Sequence, residues 1–335
     1  MLLIAFGTRP EWIKIRPVVE AIRGVIPYKL LFTGQHSSLV EIVAHEFPHI
    51  KLEIEDSCDV RLDSIVTSIL KQIPEDMYGA THVMVQGDTT TVFAVALAAF
   101  HRQIPVVHLE AGLRTYDNKQ PYPEEFNRQA VGSMADIHLC ATDLSRAYLR
   151  KENKNGIIEV VGNTVLDGLD KEYVEHKPQV LVTMHRRENH ENIERWFEQI
   201  NRLANKLKEY EFIFPMHPNP NVVKHRDILT NVKVCDPMNR EDLLATLKSC
   251  SYVITDSGGI QEESAFYKKP CIVCRTITER PEGLGVFSYL CKSPEELVDL
   301  FYKVKVVKID PSLKCPYGDG NASQKILEIL REAIR

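Results

Sequence analysis

Three acids sit where a proton could be moved. Asp88 lies in Gln86-Gly87-Asp88-Thr89-Thr90-Thr91, directly after the apolar run His82–Val85. It either caps the following helix or faces a ligand at the strand end. Glu110 closes Pro105-Val106-Val107-His108-Leu109, and an ionised carboxylate after so apolar a run is costly unless paired. Two readings follow: an ion pair with Arg114, or a raised pKa that suits proton transfer. Glu124, in Tyr122-Pro123-Glu124-Glu125-Phe126-Asn127-Arg128, opens a helix whose proline and two acids favour a first turn. Three acids at successive ligand-facing turns exceed what capping requires.

The complementary chemistry is anion binding. Thr255-Asp256-Ser257-Gly258-Gly259-Ile260-Gln261-Glu262-Glu263 joins a buried strand to a helix through two glycines. Backbone N–H groups at such a turn can approach a diphosphate, and the helix N-terminus adds partial positive charge. The plainer alternative is that Asp256 or Ser257 caps the helix. The Gly-Lys-Ser/Thr ending of a Walker loop is missing. Further cations and polar groups follow other strands: Arg9 and Lys14 after Leu2–Phe6, Gln35 and His36 after Lys29–Phe32, and His185 and Arg186 after Val180–Thr183. His217 follows Glu211–Phe214, and Arg280 follows Cys271–Cys274.

These turns need a scaffold of alternating strands and helices. Besides the strands just mentioned, Val106–Leu109, Asp136–Cys140, Ile157–Val160, Val232–Cys235 and Tyr252–Thr255 read as strands, with helical spacing between them over Thr91–Phe100 and Asn192–Leu207. Pro17 is expected to kink the first helix. Repeated βα units predict an α/β fold with a doubly wound parallel sheet in each half, ligands lying beyond the carboxyl ends of the strands. At 335 residues the chain suits two domains of roughly 150–170 residues each, changing near Gly162–Lys177.

Composition narrows the classes. A net charge of −5 with no Lys/Arg block argues against nucleic acid or an anionic membrane as partner, and the apolar start is too short to span or to direct export. Eight cysteines without a framework point to reduced thiols and a cytoplasmic protein. Cys271 and Cys274 have metal-like spacing, but on a strand they point to opposite faces, so no metal site is expected.

Taken together, Gly7-Thr8-Arg9-Pro10-Glu11, Gly34-Gln35-His36, Gln86-Gly87-Asp88-Thr89, His108–Arg114, Pro123-Glu124-Glu125, His185-Arg186-Arg187-Glu188, Asp256–Glu263, Glu279-Arg280-Pro281-Glu282 and Pro316-Tyr317-Gly318-Asp319-Gly320 resemble the non-hydrolysing UDP-N-acetylglucosamine 2-epimerases. The likeness covers nearly the whole chain in the family's order. It implies the GT-B architecture, two Rossmann-like domains facing a central cleft: residues 1–165 plus 324–335 carrying the catalytic carboxylates, and 166–323 binding UDP. It also implies inversion at carbon 2 of UDP-N-acetylglucosamine to give UDP-N-acetylmannosamine for cell-surface polysaccharide precursors. The family's route eliminates UDP to a 2-acetamidoglucal and adds it back, with no cofactor and no metal.

By the same resemblance, Asp88, Glu110, Glu124 and His217 form the catalytic set. Arg9, Lys14, His185, Arg186, Ser257, Gly258, Gly259, Glu263 and Arg280 bind the UDP-sugar, with Glu263 on the ribose hydroxyls. Gln35, His36 and Arg61 match in part a second, activating UDP-N-acetylglucosamine site. Where members with that site often carry Arg-Gln, this chain has Ser37-Ser38. A homodimer is implied. Three alternatives share many of these features: a 2-epimerase of a related UDP-sugar such as a 2,3-diacetamido uronic acid, a GT-B glycosyltransferase, and a non-catalytic nucleotide-sugar sensor. The glycosyltransferase and the sensor leave the three acids without a task.

Overall fold

A computed structural model describes residues 1–35, 47–55, 57–170, 172 and 174–334. The chain divides into two compact units, Met1–Gly168 with Gly318–Arg335, and Leu169–Tyr317. Residues 318–323 belong with the first unit because Asp167 accepts hydrogen bonds from the Ala322 and Ser323 N–H groups, at 2.9 and 2.6 Å. Gly318 also packs on Gly162, where a side chain would meet the Gly162 Cα at 3.1 Å.

In the first unit the apolar runs form seven parallel strands: β1 (Leu2–Phe6), β2 (Tyr28–Phe32), β3 (His49–Lys51), β4 (His82–Gln86), β5 (Val106–Ala111), β6 (Ile137–Cys140) and β7 (Ile157–Val160). Their order is β3-β2-β1-β4-β5-β6-β7. The order therefore reverses between β1 and β4, where turns leave the sheet toward opposite faces and open a crevice. Helix α1 (Arg9–Ile22) packs Trp12, Ile15, Val18 and Val19 on one face together with the closing helix Ala322–Ala333. Helices α2 (Arg61–Gln72) and α3 (Thr90–His101) cover the other face; Val131 of α4 (Glu124–Met134) joins them, and α5 (Asp143–Lys151) follows β6. Helix α1 continues through Pro17.

The second unit repeats the plan with six parallel strands: β8 (Gln179–Thr183), β9 (Glu211–Pro215), β10 (Lys233–Cys235), β11 (Tyr252–Thr255), β12 (Cys271–Cys274) and β13 (Ser288–Cys291), ordered β10-β9-β8-β11-β12-β13. Here the reversal lies between β8 and β11. Helices α6 (Ile193–Lys206), α7 (Pro220–Val223), α8 (Arg240–Ser249), α9 (Gly258–Phe266) and α10 (Leu297–Lys305) connect them. The larger core joins Trp196, Phe197, Phe212, Phe214 and Phe301. Both sheets being wholly parallel, the doubly wound α/β reading holds in each unit. Strands β3 and β13, of three and four residues, have no counterpart among the expected ones. Among the described residues no helix is long and apolar enough to cross a membrane.

Candidate active site

In the first unit Asp88 follows β4, Glu110 lies near the end of β5, and Glu124 opens α4. Asp88 is not the helix cap. Thr89 takes that role for α3, its hydroxyl accepting from the Val92 N–H, and Asp88 pairs instead with Arg128 at 2.5 Å. The Asn127 amide also donates to the Asp88 carbonyl at 2.9 Å, so the first turn of α4, which begins at Glu124, is tied to the end of β4. Arg128 is buried and reaches Glu125 as well, at 3.3 Å. Glu125 in turn accepts the Thr115 and Tyr116 N–H groups at 3.0 and 2.9 Å.

Glu110 occupies an unusual backbone position. Its φ is +64°, in the left-handed region a glycine would favour, and the pairing of β5 with β6 shifts register between Leu109 and Ala111. That bulge frees the side chain from strict alternation. Strain of this kind persists where surrounding contacts over-determine it. Here the Lys14 ammonium lies 2.6 Å from both carboxylate oxygens, while the Gln86 and Asn163 amides donate at 2.5 and 2.8 Å. Arg114 pairs with Glu152 at 2.7 Å, so the ion pair of Glu110 forms with Lys14 of α1 and not with Arg114. Beneath the acids, burial pushes the His108 pKa down to about 3, and Nε2 of the neutral ring donates to the Gly87 carbonyl at 2.8 Å.

Arg9, at the start of α1, is exposed at the neighbouring turn, and Gly7 must stay small because a Cβ there would collide with the Thr33 and Thr91 hydroxyls. Glu11 is fully buried behind this turn, accepting from the Gly7 and Thr8 N–H groups at 2.5 and 3.2 Å. Burial raises its pKa from 4.5 to about 7 against the effect of these donors, with nearby Asp88 adding to the rise. The sign of the linkage follows: between 4.5 and 7 the folded chain keeps a proton that the unfolded chain releases, so stability falls as pH rises through about 7. Wild type should therefore lose about 3 kcal/mol more than Glu11→Gln between about pH 5 and 8. Urea titrations across that range measure the difference, and parallel curves refute it.

In the second unit Asp256 does not cap α9. Its Oδ2 accepts from the His185 and Arg186 N–H groups at 2.9 and 2.8 Å and from the Asn189 amide at 3.1 Å, and Oδ1 lies 3.6 Å from His185 Nδ1. The carboxylate thus spans the β8–β11 reversal. The His185 ring stacks on His217 with centroids 5.4 Å apart and planes at 17°. Burial, then His185, lowers the His217 pKa from 6.5. Ser257 precedes α9 without a side-chain cap bond, leaving its hydroxyl and the Gly258 and Gly259 backbone at the helix start. A Cβ on Gly258 would strike the Arg280 guanidinium, which is buried between Glu262 and Glu279. Glu263 is buried too, paired with Arg240 at 2.5 Å. Arg280 and Glu263 therefore stand in structural ion pairs within their own unit.

Of the remaining expected residues, Gln35 accepts from Thr91 at 2.7 Å, Arg61 is exposed at the start of α2, and His36 lies outside the described residues. Cys271 and Cys274 are buried free thiols, and among the described residues no group of three His, Cys, Asp or Glu could hold a metal. Residue types alone did not single out Glu11, Gln86, Arg128, Asn163, Arg275 or Arg240. The one available signal was the recurrence of polar residues at strand ends.

The family model described as UDP-N-acetylglucosamine 2-epimerase matches residues 21–331. The chain belongs to that family. It is an isomerase, related over its full length to the UDP-N-acetylglucosamine 2-epimerases of Bacillus subtilis strain 168 (35% identical, 98% of this chain and 94% of the relative) and Campylobacter jejuni (35%, 98% and 97%). The crystal structure of the Neisseria meningitidis UDP-GlcNAc 2-epimerase bound to UDP-GlcNAc is similar, with a TM-score of 0.88 at 34% identity and 99% of each chain covered. The Methanocaldococcus jannaschii enzyme in complex with UDP-GlcNAc and UDP gives 0.83 at 30%, again over 99% of each chain. At 13% identity and a TM-score of 0.58, Acinetobacter baumannii MurG shares the fold alone, in keeping with a GT-B architecture.

Proposed function

We propose that the chain interconverts UDP-N-acetylglucosamine and UDP-N-acetylmannosamine through a 2-acetamidoglucal. In the elimination the C2 proton goes to a carboxylate as the C1–O bond to UDP breaks. In the return step UDP adds to C1 while C2 receives a proton on the opposite face. The observation that carries this reading is Glu110, buried at the end of β5 and clamped by Lys14, Gln86 and Asn163, with Asp88 at the neighbouring strand end held by Arg128 from the helix that Glu124 opens. General acid–base catalysis needs groups held in place before substrate arrives, and those contacts hold one. Within the first unit Arg9 suits an anionic ligand as a cation, and within the second the Ser257-Gly258-Gly259 turn suits a diphosphate as a source of N–H donors. The proposed setting is the cytoplasm, supported by eight free cysteines, with the product entering cell-surface polysaccharide precursors.

The test is a proton spectrum of UDP-N-acetylglucosamine with the purified protein in heavy water. Deuterium at carbon 2 with appearance of the manno isomer is expected; binding without exchange would point to a transferase or a sensor. Arg9→Ala should raise the Kd for UDP by about tenfold, the scale of one lost charge-assisted contact. Calorimetry reads it, and unchanged affinity removes Arg9 from the site.

The proposed assembly is a homodimer. Helix α3 carries no charged residue from Thr90 to Phe100, and Phe100 is 55% exposed; Phe126, in ring contact with Phe93 at 6.0 Å, is 51% exposed. An apolar helix face of this kind is stabilised by a second copy. Light scattering should give twice the chain mass, and a monomer at micromolar concentration would refute it.

A further inference from the structure

At the β1–β4 reversal two turns diverge toward helices on opposite faces of the sheet: α1 belongs to one core and α3 to the other. Helix–helix packing therefore does not align the turns. A single buried side chain spans them. Glu11 holds the Gly7 and Thr8 N–H groups with Oε2, and its Oε1 accepts from the Thr89 hydroxyl at 2.5 Å, across 78 residues of sequence. Thr89 adjoins Asp88. An acid at the third position of a helix commonly reaches back to the preceding backbone, and that half of the arrangement is ordinary capping. The reach across the crevice is not. Of the charged groups beside Glu11, Asp88 lies closest in effect and is itself held by Arg128 of α4.

We propose that Glu11 and Thr89 are positioning residues: their hydrogen bond fixes the turn bearing Arg9 and the turn bearing Asp88 as one rigid edge. The second unit contains the same device, Asp256 joining the turn after β11 to the His185-Arg186 turn after β8. In both units a buried carboxylate crosses the place where strand order reverses, the place where ligands bind in such sheets. Fixing the two turns together keeps the acid at its productive distance from the anchored ligand, where displacement of about 1 Å can cost ~100-fold in rate.

This inference rests on the epimerase reading, and the test separates the two. Thr89→Val removes the crossing bond, and with it the cap that the hydroxyl gives α3, and leaves the Glu11 contacts to Gly7 and Thr8. It should lower kcat at least tenfold with the Kd for UDP changed less than twofold, and Thr89→Ser, which keeps the hydroxyl, should restore kcat to within about threefold of wild type. Glu11→Ala, which keeps the Thr89 cap of α3, should lower kcat similarly and also weaken UDP, because it removes the contacts to both turns. Wild-type kcat in Thr89→Val, or equal loss in Thr89→Ser, overturns the proposal. If the wild-type protein leaves UDP-N-acetylglucosamine unchanged, the functional reading fails and amide exchange decides the positioning claim. Faster exchange at Asp88 and Thr89 in Glu11→Ala, in a protein that still unfolds cooperatively, supports it; unchanged exchange there overturns it.

Discussion

Glu110→Gln should lower turnover by at least ~100-fold while leaving UDP binding within a few-fold of wild type. Glutamine keeps the shape and fits the same bulge, so the backbone at φ +64° has no new reason to move. What changes is charge and proton capacity. Lys14 would face a neutral amide where it now faces a carboxylate 2.6 Å away, and a general acid or base is lost outright. A hundredfold loss corresponds to about 2.7 kcal/mol in the barrier. UDP affinity is expected to persist because the residues proposed to hold UDP in each unit are untouched. The exchange of the C2 proton in heavy water measures the chemical step directly, and near wild-type exchange in this variant would remove Glu110 from the mechanism.

The positions of these groups were legible in the sequence because a short apolar run followed by glycine and polar residues marks a strand end, and strand ends are where α/β sheets bind ligands. That rule places Asp88, Glu110, His185, His217 and Ser257 without any contact being known. It does not say what each side chain touches. Glu11 resembles an ordinary capping residue, and only the fold brings Thr89 beside it. Asn163 reaches Glu110 from a turn 53 residues away, and Lys14 displaces Arg114 as partner through the packing of α1 on the sheet. The left-handed backbone at Glu110 leaves no trace in residue type, since a non-glycine there is the exception. Strands β3 and β13 are too short for a periodic signal. Nor does residue type reveal that Arg280 and Glu263 are each buried against an opposite charge within their own unit.

Arg275→Met should destabilise the second unit by about 3–5 kcal/mol, the usual cost of breaking a buried ion pair from one side. Arg275 follows β12 with its side chain wholly buried, its Nε donating to Glu188 at 2.7 Å and Nη1 to Glu279 at 2.8 Å. Glu279 also pairs with Arg280, which pairs with Glu262, so three acids alternate with two guanidinium groups in one row, buried except at its Glu188 end. Methionine fills similar volume but removes a cation from a row that already has an excess of acid. Glu188 is partly exposed and can turn to water; Glu279 cannot. The consequence reaches the ligand edge because Arg280 lies against Gly258, and any shift of its guanidinium alters the turn that opens α9. Urea unfolding should show the loss, and UDP affinity should fall with it. The double variant Arg275→Met, Glu279→Gln supplies the control. Removing the stranded acid along with its partner should recover part of the stability, giving a combined loss smaller than the sum of the single ones. Strict additivity would mean that the two groups act independently. It would also mean that the row is not the electrostatic unit its geometry describes.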